Sequence, residues 1–259
     1  MDVKEALKSS GIDGLEAEVL LAHALGKNRE WLMAHPEEEI DQAEYEVLLE
    51  RRKTNEPVAY ITESQDFYGR DYFVDNRVLI PRDSTERIVD LALDLLKDRE
   101  DCVRQVDLGV VGFAKVFGNV SDVHTVVDIC TGSGCIAITL ALETDMNIIA
   151  TDISQDALDV AKRNAKTHGV EDRIDFRLGN LTEPIQDLEE PFLVVTNPPY
   201  VPDEDELMED VKDFEPHLAL FGGPTGSDLV VQIYNSLQQN NACKGCVIEC
   251  RTTHLDFLA

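Results

Sequence analysis

Leu15, Val19, Leu20, Leu21 and Leu25 recur at helical spacing, and Gly26 is suited to stop the helix they predict. A second helix is predicted from about Asp41 to Lys53, with Tyr45, Leu48 and Leu49 on one face, and Pro57 ends the block. The pattern then changes. Over residues 57–82 short β-prone runs (Phe67, Tyr68, Tyr72, Phe73, Val74, Val78, Leu79, Ile80) are broken by Gly69 and Asn76, which predicts a β-hairpin linker closed by Pro81-Arg82. From Glu86 onward helical and strand-like runs alternate. The predicted elements are a helix over 86–98, strand Thr125–Cys130, helix Ile136–Glu143, strand Asn147–Thr151, helix Gln155–His168, strand Arg173–Leu178, strand Phe192–Thr196, helix Ser227–Gln239 and strand Cys246–Cys250. Residues 101–122 hold three glycines and show no clear period. Alternation of this kind predicts a doubly wound, mainly parallel α/β sheet. The expected division is a helical domain over 1–56, the linker over 57–85, and a catalytic domain over 86–259.

Charge narrows the function classes. Fifty-one acidic residues oppose 23 basic ones, a formal net charge of -28. Such a surface repels phosphate backbones and anionic membranes, so neither a nucleic-acid nor a membrane partner is expected. The first 56 residues carry 7 basic and 14 acidic side chains, or -7, which leaves -21 on the remainder. Asp203–Glu215 alone has eight acids and one lysine. That run reads as a solvated loop, or as a rim that steers a basic protein segment. The opening MDVKEALKSS has no basic flank before an apolar run, and no stretch approaches about 18 apolar residues, so neither a leader nor a membrane span is expected. Six unevenly spaced cysteines suit a reducing cytoplasm. Cys243, Cys246, Cys250 and His254 have metal-ligand residue types, but the segment reads better as a turn and a buried strand; no metal site is expected.

Three places carry candidate chemistry. The turn Asp128-Ile129-Cys130-Thr131-Gly132-Ser133-Gly134 lies between a predicted strand and helix, where glycines allow close ligand approach and the helix end offers free N–H groups. Ala137 fills the third glycine position of the dinucleotide-binding pattern. Asp152 ends the next strand, about 20 residues on, where an acid accepts from ribose hydroxyls. Asn197-Pro198-Pro199-Tyr200 follows an apolar strand. Its two prolines fix a stiff turn, which holds the Asn197 side chain and the Pro198 carbonyl as acceptors for a planar –NH2 group, with Tyr200 able to stack on that group.

The tetrapeptide resembles the N-P-P-Y motif of S-adenosylmethionine-dependent amino methyltransferases. PVAYITESQDFYGRDYFVDNRVLIPR, DICTGSG, ATDIS, NPPYV and FEPHLALFGGPTGSDL, in that order, resemble the release-factor glutamine N5-methyltransferase family, and AEVLLAHALGK resembles its helical domain. The resemblance implies a Rossmann-like class I methyltransferase fold, S-adenosylmethionine as methyl donor, and the glutamine of a Gly-Gly-Gln motif in a peptide chain release factor as acceptor. It implies a cofactor site of Asp128, Cys130, Thr131, Gly132, Ser133, Gly134, Asp152, Ile153, Asn180, Leu181 and Asn197. Within it, Thr131, Gly132 and Gly134 would line the methionine part and Asp152 the ribose. Asn197 and the Pro198 carbonyl would hold the substrate amide, with Pro199, Tyr200 and Arg82 beside it; Asn197, Pro198 and Tyr200 are the expected catalytic residues. The Ile80-Pro81-Arg82 loop would pack near the cofactor. A cytoplasmic monomer is expected. The alternatives are an adenine or guanine amino methyltransferase, which NPPY also permits, and a homologue that binds cofactor without turnover.

The chain departs from the family pattern at four places. Cys130 stands where glycine is usual, Asp83-Ser84 replaces a Pro–acid pair, and Asn180 replaces an acid that accepts from adenine. The family's terminal helix and strand pair have no counterpart after Cys250, which predicts an exposed sheet edge.

Overall fold

The computed structural model describes residues 1–98, 102–105 and 110–258, and the chain forms two compact units. The first comprises Met1–Ser64 and Leu207–Phe214. Its helices, labelled in chain order, are α1 (Val3–Ser9), α2 (Gly14–Ala24), α3 (Arg29–Ala34), α4 (Ala43–Lys53), α5 (Val58–Thr62) and the later α9 (Glu209–Phe214). Asp2 and Glu5 form a reciprocal capping box on α1, Asp13 caps α2, and Asn28 caps α3. Leu20, Leu21, Leu32, Tyr45, Leu48 and Leu49 meet in one core. Arg52 ties α4 to Glu16 of α2 at 2.8 Å.

Residues 57–64, expected in the β-hairpin linker, belong to the helical unit. Val58–Thr62 is helical although three of its five residues are β-branched. Pro57 (φ -57°) starts the turn, and burial of Ala59, Tyr60 and Ile61 overrides the β preference. The hairpin itself is shorter than predicted: β1 (Gln65–Phe67) pairs antiparallel with β2 (Arg70–Tyr72). Tyr68 (φ 56°) and Gly69 (φ 68°) form its two-residue turn, with both central φ positive as such tight hairpins need.

The second unit comprises Gln65–Glu206 and Glu215–Ala259. Its large sheet contains β3 (Cys102–Gln105), β4 (Val110–Val116), β5 (Thr125–Ile129), β6 (Asn147–Asp152), β7 (Ile174–Leu178), β8 (Phe192–Thr196) and β9 (Cys243–Arg251), in the order β3-β4-β9-β8-β5-β6-β7. The five strands from β5 to β9 are parallel. Alternate residues feed opposite faces. Val126, Val195 and Val247 join Ile88, Leu91 and Leu95 of α6 (Asp83–Asp98), together with α7 (Cys135–Glu143) and α8 (Gln155–Thr167). Val127, Val194 and Ile248 join Val230, Ile233, Tyr234 and Leu237 of α10 (Asp228–Gln239) on the other face. The predicted doubly wound sheet is thus observed. Cys243, Cys246 and Cys250 are buried along β9 in the second of these cores.

The stretch without a clear period resolves one expectation differently. β4 pairs antiparallel with β9 from Val110↔Arg251 to Val116↔Gly245, and β3 pairs with β4. The edge of β9 predicted to be bare is therefore covered by strands that precede β5 in the chain. Close packing of α6 explains a glycine in β4: a Cβ on Gly112 would lie 2.5 Å from Leu91 Cδ1 and 3.2 Å from Ile88 Cγ2. Gly112→Ala overpacks this interface by about 1–3 kcal/mol. A thermal melt is expected to drop by roughly 2–10 °C; an unchanged melting temperature would contradict the packing described.

Candidate active site at the carboxyl edge of the sheet

Strand order reverses between β5 and β8, so the loops leaving their carboxyl ends diverge and open a crevice. Ile129 of β5 is paired with Thr196 of β8, and the Thr196 hydroxyl donates to the Ile129 carbonyl at 2.6 Å. The glycine turn and the NPPY segment therefore begin side by side.

The turn after β5 needs left-handed backbone at three positions: Cys130 (φ 60°), Gly132 (φ 54°) and Gly134 (φ 82°). The first explains why glycine is usual at position 130; cysteine holds it at a cost of about 1 kcal/mol. At Gly134 a Cβ would meet Ala161 Cβ and Ile138 Cδ1 at 3.0 Å, so α8 closes directly on the turn. Asp128 braces the loop from below: its Oδ2 accepts from the Thr131 hydroxyl at 2.6 Å and from the Ala137 N–H at 3.1 Å. Ser133 is buried, and its carbonyl accepts from Asn164 Nδ2 at 2.8 Å. Asn164 also accepts from the Phe73 N–H and donates to its carbonyl, which anchors the segment after the hairpin.

Asp128 is fully buried, and its Oδ1 lacks a partner among the described residues. Burial pushes its carboxyl up to about 7, against the pull of Thr131 and the Ala137 N–H. Because the folded value lies above the unfolded 3.8, its contribution to stability is complete below about pH 4 and is lost as pH rises through about 7. Asp128→Asn should remove this dependence. Urea unfolding is expected to give a variant whose stability changes between pH 5 and pH 7 by about 2 kcal/mol less than that of the unsubstituted protein; parallel curves would contradict it.

A cavity of about 220 Å³ lies above the strand ends. Of the sequence-predicted residues, it brings together Cys130, Gly132, Asp152, Ile153, Asn180, Leu181, Asn197 and Pro199. Val78, Leu79, Ala157, Leu218 and Leu229 complete an apolar wall. Asp128, Thr131, Ser133 and Gly134 support the turn without lining the cavity, and Arg82, Pro198 and Tyr200 are likewise outside its lining. Asp152 accepts from the Gly132 N–H at 3.0 Å through one oxygen and from the Ser154 N–H at 2.9 Å through the other. Burial pushes its carboxyl up, while the N–H groups of Ser154, Gly132 and Ile153 pull it down.

The NPPY segment is held on two sides. The Val201 N–H donates to the Leu220 carbonyl and the Gly222 N–H to the Val201 carbonyl, each at 2.9 Å. A Cβ on Gly222 would meet the Pro199 carbonyl oxygen at 2.5 Å, so this backbone approach admits only glycine. On the other side Asn197 Nδ2 donates to Thr85 Oγ1 at 2.9 Å, and the Tyr200 hydroxyl donates to Glu249 Oε1 at 2.9 Å. Arg82 pairs with Glu215, whose other oxygen accepts from the Ile80 N–H at 3.2 Å. Glu215 is therefore a buried anchor and not part of a solvated acidic rim. Thr85 and Glu249 were outside the residues expected from sequence. The one available signal was an acid inside the apolar run Cys246–Cys250.

Among the described residues no group of three His, Cys, Asp or Glu side chains is placed to hold a metal ion, and no helix is long and apolar enough to cross a membrane.

Comparison with known proteins assigns the chain. Residues 2–62 match the PrmC N-terminal domain, and residues 102–216 match the methyltransferase small domain. A release factor glutamine methyltransferase of Koribacter versatilis is 39% identical over 225 residues, covering 85% of this chain and 72% of that protein. One from Leptospira interrogans is 39% identical over 246 residues, covering 90% of this chain and 79% of that protein. A bifunctional methyltransferase of Rickettsia typhi is 37% identical over 233 residues, but the chain spans only 43% of its length. With the Rossmann-like sheet, the helical unit and the NPPY turn in their expected order, this chain belongs to the release factor glutamine methyltransferase family.

Proposed function

We propose that the protein transfers a methyl group from S-adenosylmethionine to the side-chain nitrogen of the glutamine in the Gly-Gly-Gln motif of a peptide chain release factor. The observation that carries this reading is the position of Asn197: it lines the cavity floored by the glycine turn and heads the rigid NPPY segment. The cavity fits a nucleoside-bearing donor. Both Asp152 oxygens accept from backbone N–H groups, and a carboxylate with about four acceptor sites keeps capacity for a ribose hydroxyl. Ile153, Leu181 and Leu229 offer apolar surface for a base, and Asn180 offers an amide for its edge. Gly132 has no side chain to obstruct the methionine portion.

When bound, the donor supplies a sulfonium methyl that is already strongly electrophilic. The chain's task is then to prepare the acceptor. An amide nitrogen is a poor nucleophile because its lone pair is delocalised. The Asn197 oxygen and the Pro198 carbonyl accept from its two N–H groups, orient it, and return electron density to nitrogen. Pro199 and Tyr200 flank the amide plane. Arg82, with its side chain 38% exposed beside a buried Glu215, keeps one side open to an incoming loop. Alignment of this kind contributes up to about 7–11 kcal/mol, and preorganised dipoles add to it. The nitrogen gains a carbon and loses a proton late, so no strong base is required.

The acidic balance of the chain favours a protein loop over a phosphate backbone as substrate, and a cytoplasmic monomer meeting its substrate transiently completes the reading. The test incubates the protein with methyl-labelled S-adenosylmethionine and release factor, alongside release factor carrying Gln→Ala in the Gly-Gly-Gln loop. Label is expected on the first and absent from the second. Label on the control, label only on added RNA or DNA, or cofactor binding without transfer would overturn the proposal.

A further inference from the structure

We infer, building on the donor site proposed above, that Arg77 is a further binding residue of the cavity: the free edge of its guanidinium holds the carboxylate of the donor's amino-acid part. Among the described residues that line the cavity, Arg77 is the one with a cationic side chain. The stretch that carries it is firmly fastened. Phe73 exchanges two hydrogen bonds with Asn164 of α8 and lies under Arg163, whose guanidinium carbon sits 3.2 Å from the ring centre. Asp75 then turns the chain: its Oδ1 accepts from the Arg77 N–H at 3.0 Å, and its carbonyl accepts from the Val78 N–H at 3.1 Å. Val78 and Leu79 continue along the cavity wall.

Hydrogen counting shows which edge of Arg77 is available. A guanidinium presents N–H donors along two edges, Nε with Nη2 and Nη1 with Nη2, and either edge fits a carboxylate. Asp75 occupies the first: its Oδ1 accepts from Nε at 2.9 Å and its Oδ2 from Nη2 at 2.6 Å. That pair fixes the plane of the guanidinium. Nη1 and the outer hydrogen of Nη2 have no partner among the described residues, and the Arg77 side chain is 36% exposed, so the fold does not seal it. Other N–H groups at the cavity are engaged. Gly132 and Ser154 give theirs to Asp152, and Asn197 gives an amide hydrogen to Thr85. Charge points the same way. Asp152 lines the cavity, and Asp156 and Asp159 of α8 act on Arg77 through space. These negative surroundings suit the sulfonium and the ammonium of the donor, and they leave its single anionic group one cation to pair with.

Calorimetric binding of S-adenosylhomocysteine and of its decarboxylated analogue, which lacks only that carboxylate, tests the assignment on the full chain. The unsubstituted protein is expected to bind the analogue about tenfold more weakly, a moderate gap because the pair is partly exposed and Arg77 also serves Asp75. In Arg77→Gln the Kd for S-adenosylhomocysteine should rise about tenfold while that for the analogue changes less than about twofold, so that the gap between the ligands closes. Arg77→Lys keeps the charge but loses the planar edge, and it should narrow the gap. Equal affinity of the unsubstituted protein for both ligands would overturn the inference. So would equal losses for both ligands in Arg77→Gln, which would mark a role at the nucleoside or in the fold, or an undiminished gap in Arg77→Lys. Should Arg77→Gln fail to fold, Arg77→Lys and the comparison of ligands on the unsubstituted protein decide it. A protein that shows the expected pattern yet methylates no release factor loses the proposed acceptor and keeps this role for Arg77; one that binds neither ligand loses the donor site and this role together.

Discussion

Asn197→Ala is expected to reduce methyl transfer by about 10³-fold or more while changing cofactor affinity less than about fivefold. The substitution removes the oxygen assigned to orient the acceptor amide. It leaves the Asp152 contacts with Gly132 and Ser154 untouched, because these lie on loops leaving β5 and β6. The fold should tolerate it: the change deprives only Thr85 Oγ1 of one donor. Asn197→Asp should not rescue the activity. A carboxylate has no hydrogen for Thr85, so the bond that Asn197 Nδ2 makes to Thr85 Oγ1 is lost. Single-turnover transfer measured beside calorimetric binding of S-adenosylhomocysteine separates the two effects. Equal losses in both would mean that Asn197 serves the cofactor and not the acceptor.

Asp152→Ala is expected to act on the opposite quantity, raising the Kd for S-adenosylhomocysteine by about 10²-fold or more. Hydrogen bonds to a charged group contribute about 1.5–3 kcal/mol each, and the ribose contact is lost together with the brace on the turn. The variant also strips the Gly132 and Ser154 N–H groups of their acceptor, so the turn that floors the cavity loses its brace. Asp152→Asn should fare little better. Both carboxylate oxygens face backbone donors, and an asparagine must turn its own –NH2 towards one of them. Wild-type affinity in Asp152→Asn would show that the carboxylate charge and its second acceptor are dispensable.

Much of this arrangement was legible in the sequence because the strands concerned are short apolar runs bounded by turn residues. Phe192–Thr196 begins and ends where predicted, and the strands after Asp122 differ from their predicted limits by at most three residues. The glycine turn and NPPY were legible because each needs backbone geometry that few residues supply. What escaped depends on partners far away in the chain. Val58–Thr62 is rich in β-branched residues, and packing of Val58 and Ile61 into the helical core holds it helical. β4 shows no period because Gly112 must admit α6 while the strand's hydrogen bonds go to residues 245–251. Glu249 is an acid in an apolar run that the sequence expectations passed over, and nothing local indicates Tyr200 as its partner.

The position of β9 between β8 and β4 has a consequence for synthesis on the ribosome. Its two neighbours leave the exit tunnel long before it does: Val111 lies 139 residues ahead of its partner Cys250. The growing chain therefore carries two unsatisfied strand edges that wait for a third strand to slot between them, a strongly non-local step that is slow and exposed to misassociation. That same strand brings Glu249. A nascent chain ending before residue 243 can already possess the Asp152 side of the cavity while the Tyr200 hydroxyl still lacks its partner. The brace on Tyr200 is thus completed only when β9 slots into the sheet.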